Sequence, residues 1–224
     1  MNQDLNSQLL EACSAGNLEL VNELISKGAN PSCMNGDGRT GLMKSAKRGF
    51  DDIVDKLLEC GVDVNVRDKN NDTALMGAAK HGHLEICKKL VEKGSDVNAH
   101  DNDGRTSLMR AALLGEVSVV EFLIDSGADV NATDAKGRTA LMDAVNTSKV
   151  DVIHYLLGKN ADVNKKDNEG CTCLMRASYG GYTDLVIYLL NHGADKTLKD
   201  NSGRIAYDYL PNTADDEIKN VLKQ

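Results

Sequence analysis

Asp68-Lys69-Asn70-Asn71-Asp72-Thr73-Ala74-Leu75-Met76-Gly77-Ala78-Ala79-Lys80-His81-Gly82 opens a unit that ends at His100. Thr73 is suited to cap a helix, its hydroxyl accepting from a backbone N–H of the first turn. Leu75, Met76, Ala78 and Ala79 give that short helix an apolar face, and Gly82 breaks it. A second helix is predicted from about His83 to Lys93, with Leu84, Ile86, Cys87, Leu90 and Val91 at helical spacing. Gly94 then reads as a left-handed cap. The polar, turn-rich stretch from Ser95 to Gly104 suits an extended hairpin leading into the next unit.

The same unit recurs every 33 residues without a slip. Thr40, Thr73, Thr106, Thr139 and Thr172 are followed by Leu42-Met43, Leu75-Met76, Leu108-Met109, Leu141-Met142 and Leu174-Met175. Ser7 extends this ladder backwards and Ile205 forwards. A fixed period of this length means stacked supersecondary units, none able to bury a core alone, and it offers an extended surface instead of a closed pocket. The second-helix caps run Gly28, Gly61, Gly94, Gly127, Asn160 and Gly193, and the first-helix breakers Gly16, Gly49, Gly82, Gly115, Ser148 and Gly181. Both departures fall in 134–166, which is expected to be the weakest unit.

Composition sets limits. The 224 residues include two Phe, no Trp and two Pro, so Leu, Val, Ile, Ala and Met must build the interior. A net charge of −8 argues against wholesale affinity for nucleic acid or membranes, while leaving local faces open. No run approaches the length of a transmembrane helix, and Met1-Asn2-Gln3-Asp4 does not open a signal peptide. A soluble, cytoplasmic monomer is expected. Of the six cysteines, Cys13 takes a small alanine position and Cys87 a buried valine position. Cys171 and Cys173 lack a second pair at a zinc-ligand spacing, so no metal or cofactor is expected.

The pattern Asp-x-x-Gly-x-Thr-x-Leu-x-x-Ala…Gly…Leu-Leu…Gly-Ala-Asp-Val-Asn, nearly complete from Asp134 to Asn164, resembles the ankyrin repeat. The resemblance covers essentially the whole chain. It implies a mainly α fold, an ankyrin-repeat solenoid of stacked β-hairpin/helix-turn-helix units curving along one domain, 1–224. Residues 1–34 resemble an N-terminal cap, with Leu9, Leu10, Leu20, Val21, Leu24 and Ile25 inward. Full repeats follow at 35–67, 68–100, 101–133, 134–166 and 167–199. A truncated C-terminal cap, 200–224, closes the core with Ile218, Val221 and Leu222. Two departures stand out: the usual Pro after the capping Thr is Gly41, Ala74, Ser107, Ala140 or Cys173, and the usual His is Met throughout. The first should cost stability. The second exchanges a polar link between repeats for soft packing.

The resemblance also implies partner binding by the hairpin tips and the concave face of the first helices. Arg39, Arg105, Arg138 and Arg204 stand just before the capping residue. Lys44, Arg110 and Arg176 share one first-helix position, and Lys47, Arg48, Lys80 and His81 its last turn. That side reads as basic on an acidic protein. Helix dipoles account for bases in a last turn, but not for arginines at a helix N-terminus. Leu113, Leu114 and Tyr179 replace polar residues there, and an apolar centre with a charged rim has the anatomy of an interface. An acidic protein is therefore expected to dock across 35–133, anchored by Leu113 and Leu114 with Arg105 and Arg110. Arg39, Lys44, Lys47, Arg48, Lys80, His81, Arg105, Arg110, Leu113, Leu114, Arg138, Arg176 and Tyr179 form the candidate site. Phe122, Tyr155 and Tyr188, one repeat apart, read as a half-buried aromatic ladder.

Catalysis is disfavoured. His81 and His83 cannot share a helix face, His100, His154 and His192 occupy unrelated repeat positions, and no triad, phosphate loop or metal cluster can be assembled. The alternative is polyanion binding by the same basic face, to RNA or an anionic lipid headgroup. Nucleic acid is the weaker reading, because only Tyr179 is available for base stacking. Within protein binding, an adaptor and a dedicated inhibitor or protector both remain, the ending just after the cap favouring the second. Asn65, Asn98, Asn131 and Asn164 in the tip loops read as turn formers.

Overall fold

The repeat forms two helices because its caps work as the residue types require. In the computed structural model, which describes residues 2–223, the hydroxyls of Thr40, Thr73, Thr106, Thr139 and Thr172 accept from the amides of Met43, Met76, Met109, Met142 and Met175 at 3.2–3.4 Å. Each such cap contributes about 1 kcal/mol. The helices are α1 (Asn2–Ala15), α2 (Leu18–Ser26), α3 (Gly41–Arg48), α4 (Asp51–Glu59), α5 (Ala74–Lys80), α6 (Leu84–Glu92), α7 (Ser107–Leu114), α8 (Val117–Asp125), α9 (Ala140–Asn146), α10 (Val150–Gly158), α11 (Cys173–Gly180), α12 (Thr183–Asn191) and α13 (Asp216–Lys223). A 3₁₀ turn, Ala206–Tyr209, precedes the last.

Three local expectations change. Ser7 does not cap a helix: α1 runs through it, since no Gly or Pro interrupts Asn2–Ala15. The second helix of the 68–100 unit is one residue shorter at each end than its pattern implies, with His83 and Lys93 flanking it as caps. The hairpins are scarcely strands. Among the described residues they carry two isolated antiparallel bridges, Met34 with Thr40 and His100 with Thr106. Their shape comes instead from a side-chain carbonyl or carboxylate inside each turn, Asn35 in the first and an aspartate in the later ones. Asp68 Oδ1, for example, accepts from the amides of Asn70 and Asp72 at 2.8 and 3.0 Å, taking donors that a strand ladder would use.

The chain divides into two compact units, Met1–Ala111 with Ser118–Ala128 and Ala112–Val117 with Asp129–Gln224. In the first, Leu9, Ile53, Leu57, Leu75, Met76, Leu90 and Leu123 are wholly buried. Leu10, Val21 and Leu24 of the first repeat join them, while Leu20 and Ile25 are half-buried. In the second, Leu141, Met142, Ile153, Leu156 and Leu189 form the core, closed by Ile218 and Leu222 with Val221 half-buried. The methionines that stand where the family has His are packing residues: Met76, Met109, Met142 and Met175 are at most 1% exposed. Tyr155 and Tyr188 are half-buried, and the Tyr188 hydroxyl lies 2.7 Å from His154 Nδ1. Phe122 of the first unit is half-buried too.

The tip asparagines join consecutive repeats. The Asn65, Asn98, Asn131 and Asn164 amides donate to the carbonyls of Gly94, Gly127, Asn160 and Gly193, the residues that cap the next second helix. Asn65, Asn131 and Asn164 also accept from the amides of Asp96, Asp162 and Asp195. Each side chain thus ties its hairpin to the carbonyl just past the end of the next second helix. Ser148 and Asn160, the two departures from glycine, hold φ of +53° and +63°. Among the described residues no helix is long and apolar enough to cross a membrane.

Candidate functional site

From the second hairpin onward, the acid five residues before the capping position (Thr73, Thr106, Thr139, Thr172 and Ile205) accounts for most of the basic rows. Asp68, Asp101, Asp134, Asp167 and Asp200 are buried. In each, Oδ1 accepts from two amides of its own turn. A guanidinium covers the other oxygen. Arg39 Nε reaches Asp68 at 3.0 Å, Arg138 grips Asp134 through Nε and Nη2 at 2.9 and 2.7 Å, and Arg204 Nε meets Asp200 at 2.9 Å. Arg110 bridges Asp72 and Asp101, and Arg176 pairs with Asp167 while its Nη1 reaches Asn146. Arginines tolerate the positive end of a helix because a buried carboxylate stands there.

The acids respond accordingly. Burial alone would raise the Asp68 and Asp134 carboxyls, but Arg39 and Arg138 with the turn amides outweigh it and hold both below the ordinary carboxylate range. Asp200 is lowered furthest, by the Tyr209 hydroxyl at 2.6 Å, with Arg204 and its turn amides adding to the effect.

Four cations are left over, and they converge. In the first unit a groove of about 290 Å³ is lined by Ser14, Arg39, Met43, Lys44, Lys47, Arg48, Asp68, Asp72, Thr73, Gly77, Lys80, His81 and Arg110. Seven of the thirteen sequence-selected residues meet there. Six permanent cations face two carboxylates. Among the described residues Lys44, Lys47, Arg48 and Lys80 form no salt bridge, whereas Arg39 and Arg110 do. Lys44 is half-buried and the other three are exposed. Local geometry opens the floor. A Cβ at Gly77 would lie 3.3 Å from Lys47 Cβ, a tight contact that the glycine avoids. Gly49 ends α3 at φ +79°, where a Cβ would strike the His83 ring at 2.6 Å. His83 Nε2 in turn lies 3.3 Å from the Lys47 carbonyl, fixing the last turn that carries Lys47 and Arg48.

The remaining selected residues lie elsewhere. Arg105 is half-buried and its amide donates to Asp101. Leu113 is half-buried, its carbonyl accepting from Thr147 Oγ1 at 3.0 Å, so the expected pair of exposed leucines reduces to Leu114, 41% exposed. Arg110 is committed to two acids and is not an available anchor. Arg138 and Arg176 are likewise paired, and Tyr179 is 75% exposed. The second unit adds a cleft that the sequence did not mark. It measures about 400 Å³, with Val150, Ile153, Leu185, Tyr182 and Tyr188 as its main apolar walls. Its signals were Tyr182, where most other repeats have a polar residue (Asn17, His83, Glu116, Lys149), and Tyr188 of the aromatic ladder.

Three of the six cysteines lie deep in the core, and Cys60 is exposed. Burial pushes the Cys13, Cys87 and Cys173 thiols up to about 12, far from the thiolate that ligates or attacks. Asp167, Glu169 and Cys171 bring potential ligand atoms within 4.8 Å of one another. The Asp167 carboxylate is already held by Arg176 and by the amides of Glu169 and Cys171, so its oxygens are engaged in the turn.

Comparison with known proteins bears on the repeat itself. No curated protein matches the chain. A family model described as ankyrin repeats (3 copies) matches it over residues 9–101, 50–134 and 108–200. Taken with the capped helix pairs and the 33-residue register, that match shows that the chain belongs to the ankyrin-repeat family.

Proposed function

We propose that this chain is a non-catalytic module that binds an acidic protein partner through the groove of its first unit, as an adaptor or as a dedicated inhibitor or protector. Ankyrin repeats are in general protein–protein interaction modules, and the family is typically without catalytic activity. The observation that carries the finer reading is the set Lys44, Lys47, Arg48 and Lys80. These cations remain uncompensated in a chain of net charge −8 whose other first-helix arginines are committed to buried acids. Charge left unpaired around a concavity steers an oppositely charged partner and fixes its register. Leu114 and Tyr179 add exposed apolar area in the second unit.

The test compares capture from a native lysate by the unaltered chain and by Lys44→Glu/Lys47→Glu/Lys80→Glu. An acidic partner is retained by the first, lost by the second, and released by salt. Equal retention by both chains would refute the reading.

A further inference from the structure

We propose that the groove of the first unit receives a phosphorylated side chain: a phosphate monoester carried by the protein partner. This rests on the reading above and names the group that the groove holds. Lys44, Lys47 and Arg48 stand at i, i+3 and i+4 of α3, on one helix face. Lys80 occupies the matching place to Lys47 on α5. Four unpaired cations exceed what one carboxylate can neutralise. A phosphate monoester brings close to two charges and three acceptor oxygens, enough to engage several ammonium and guanidinium donors together.

Size and shape favour the same class. About 290 Å³ admits a side chain and its phosphate but not a helix about 10 Å across. Gly77 keeps the space beside Lys47 free, and Arg39 and Arg110 hold Asp68 and Asp72 so that their charge is not presented to an anion alone. Among the described residues no Phe, Tyr or Trp lines the groove, which leaves a nucleobase only His81 and the arginine planes to stack on.

The full chain, labelled for amide NMR, is titrated with four probes of otherwise neutral sequence. They are a peptide with one phosphoserine, its serine counterpart, a counterpart with two glutamates, and a short single-stranded RNA. The phosphopeptide is expected to shift the amides of α3 and α5 saturably and to bind at least about tenfold more tightly than the diglutamate peptide. Lys47→Gln/Lys80→Gln should weaken it by about tenfold or more, and Lys88→Gln, on α6, should leave it unchanged.

Equal affinity for the diglutamate peptide would overturn the phosphate and leave the acidic-partner reading standing. No shift in α3 or α5 with either charged peptide would remove both. Tighter binding of the RNA through the same amides would replace a protein-borne phosphate with a nucleic-acid backbone.

Discussion

The first unit leaves all its first-helix cations but Arg110 available, whereas the second commits its Arg176. In the first, Lys44, Lys47, Arg48 and Lys80 gather around a polar groove without a carboxylate partner among the described residues. In the second, the matching places hold Asp143, Arg176, Asn146, Thr147, Tyr179 and Gly180. Its arginines Arg138, Arg176 and Arg204 lie on buried Asp134, Asp167 and Asp200. The large apolar side chains it exposes are Leu114, Val150, Tyr179 and Tyr182. The difference teaches that a basic residue at a binding-type position says little by itself. Whether a buried acid stands within reach decides whether it recognises a partner or stabilises a turn.

The largest effect should come from removing such an acid. Asp134→Ala leaves Arg138 and two turn amides unpartnered and should cost about 3 kcal/mol. Urea denaturation reads this directly, and a loss under 1 kcal/mol would break the contrast. Its pH dependence sharpens the point. The folded-state carboxyls of Asp68, Asp134 and Asp200 are lowered, so their contribution is complete above the unfolded value near pH 4 and is lost as pH falls from there towards the folded values. The thermal midpoint should be level from about pH 7 to 5 and drop below about pH 4, less steeply in Asp134→Ala.

Next in size is the leucine pair. Leu113→Ser should lose about 1 kcal/mol because that side chain is half-buried, while Leu114→Ser should change stability by less than about 0.5 kcal/mol. Equal losses in thermal melts would show that the two share one environment. Smaller still, Ser148→Gly should stabilise the second unit by about 0.5–1 kcal/mol, since it relieves a side chain held at positive φ. Native hydrogen exchange should find the loops of 134–166 opening first and Ser148→Gly slowing them; uniform protection along the chain would sink this. Least of all, Lys47→Ala and Lys80→Ala should leave stability within about 0.5 kcal/mol while binding falls, which separates recognition from folding.

Much of the fold was legible because each requirement sits on one residue type. Only Thr or a similar side chain caps a first helix, and only a residue tolerant of positive φ stands at 94, 148 or 160. The two isolated bridges were not legible. The turn amides have two possible acceptors, a facing strand or the aspartate within the turn, and local sequence does not rank them. The candidate site was legible in part. Arg39, Lys44, Lys47, Arg48, Lys80, His81 and Arg110 do meet around one groove, yet two of the seven are engaged with acids. Asp68 and Asp101 recur with the repeat as plainly as Thr73 and Thr106, and that recurrence was the available signal for the pairing.

By itself the sequence determined the repeat length, the two helices of each unit and which rows face the core, because these follow from local periodicity and from the φ angles that particular residues permit. Tertiary structure alone decided which cations remain free. Arg39 finds Asp68 and Arg110 finds Asp72, pairs separated by 29 and 38 residues, only when successive turns stack. Ion pairing depends on the distance between groups brought together by packing, and a period in the chain specifies position along the stack but not the partner across it.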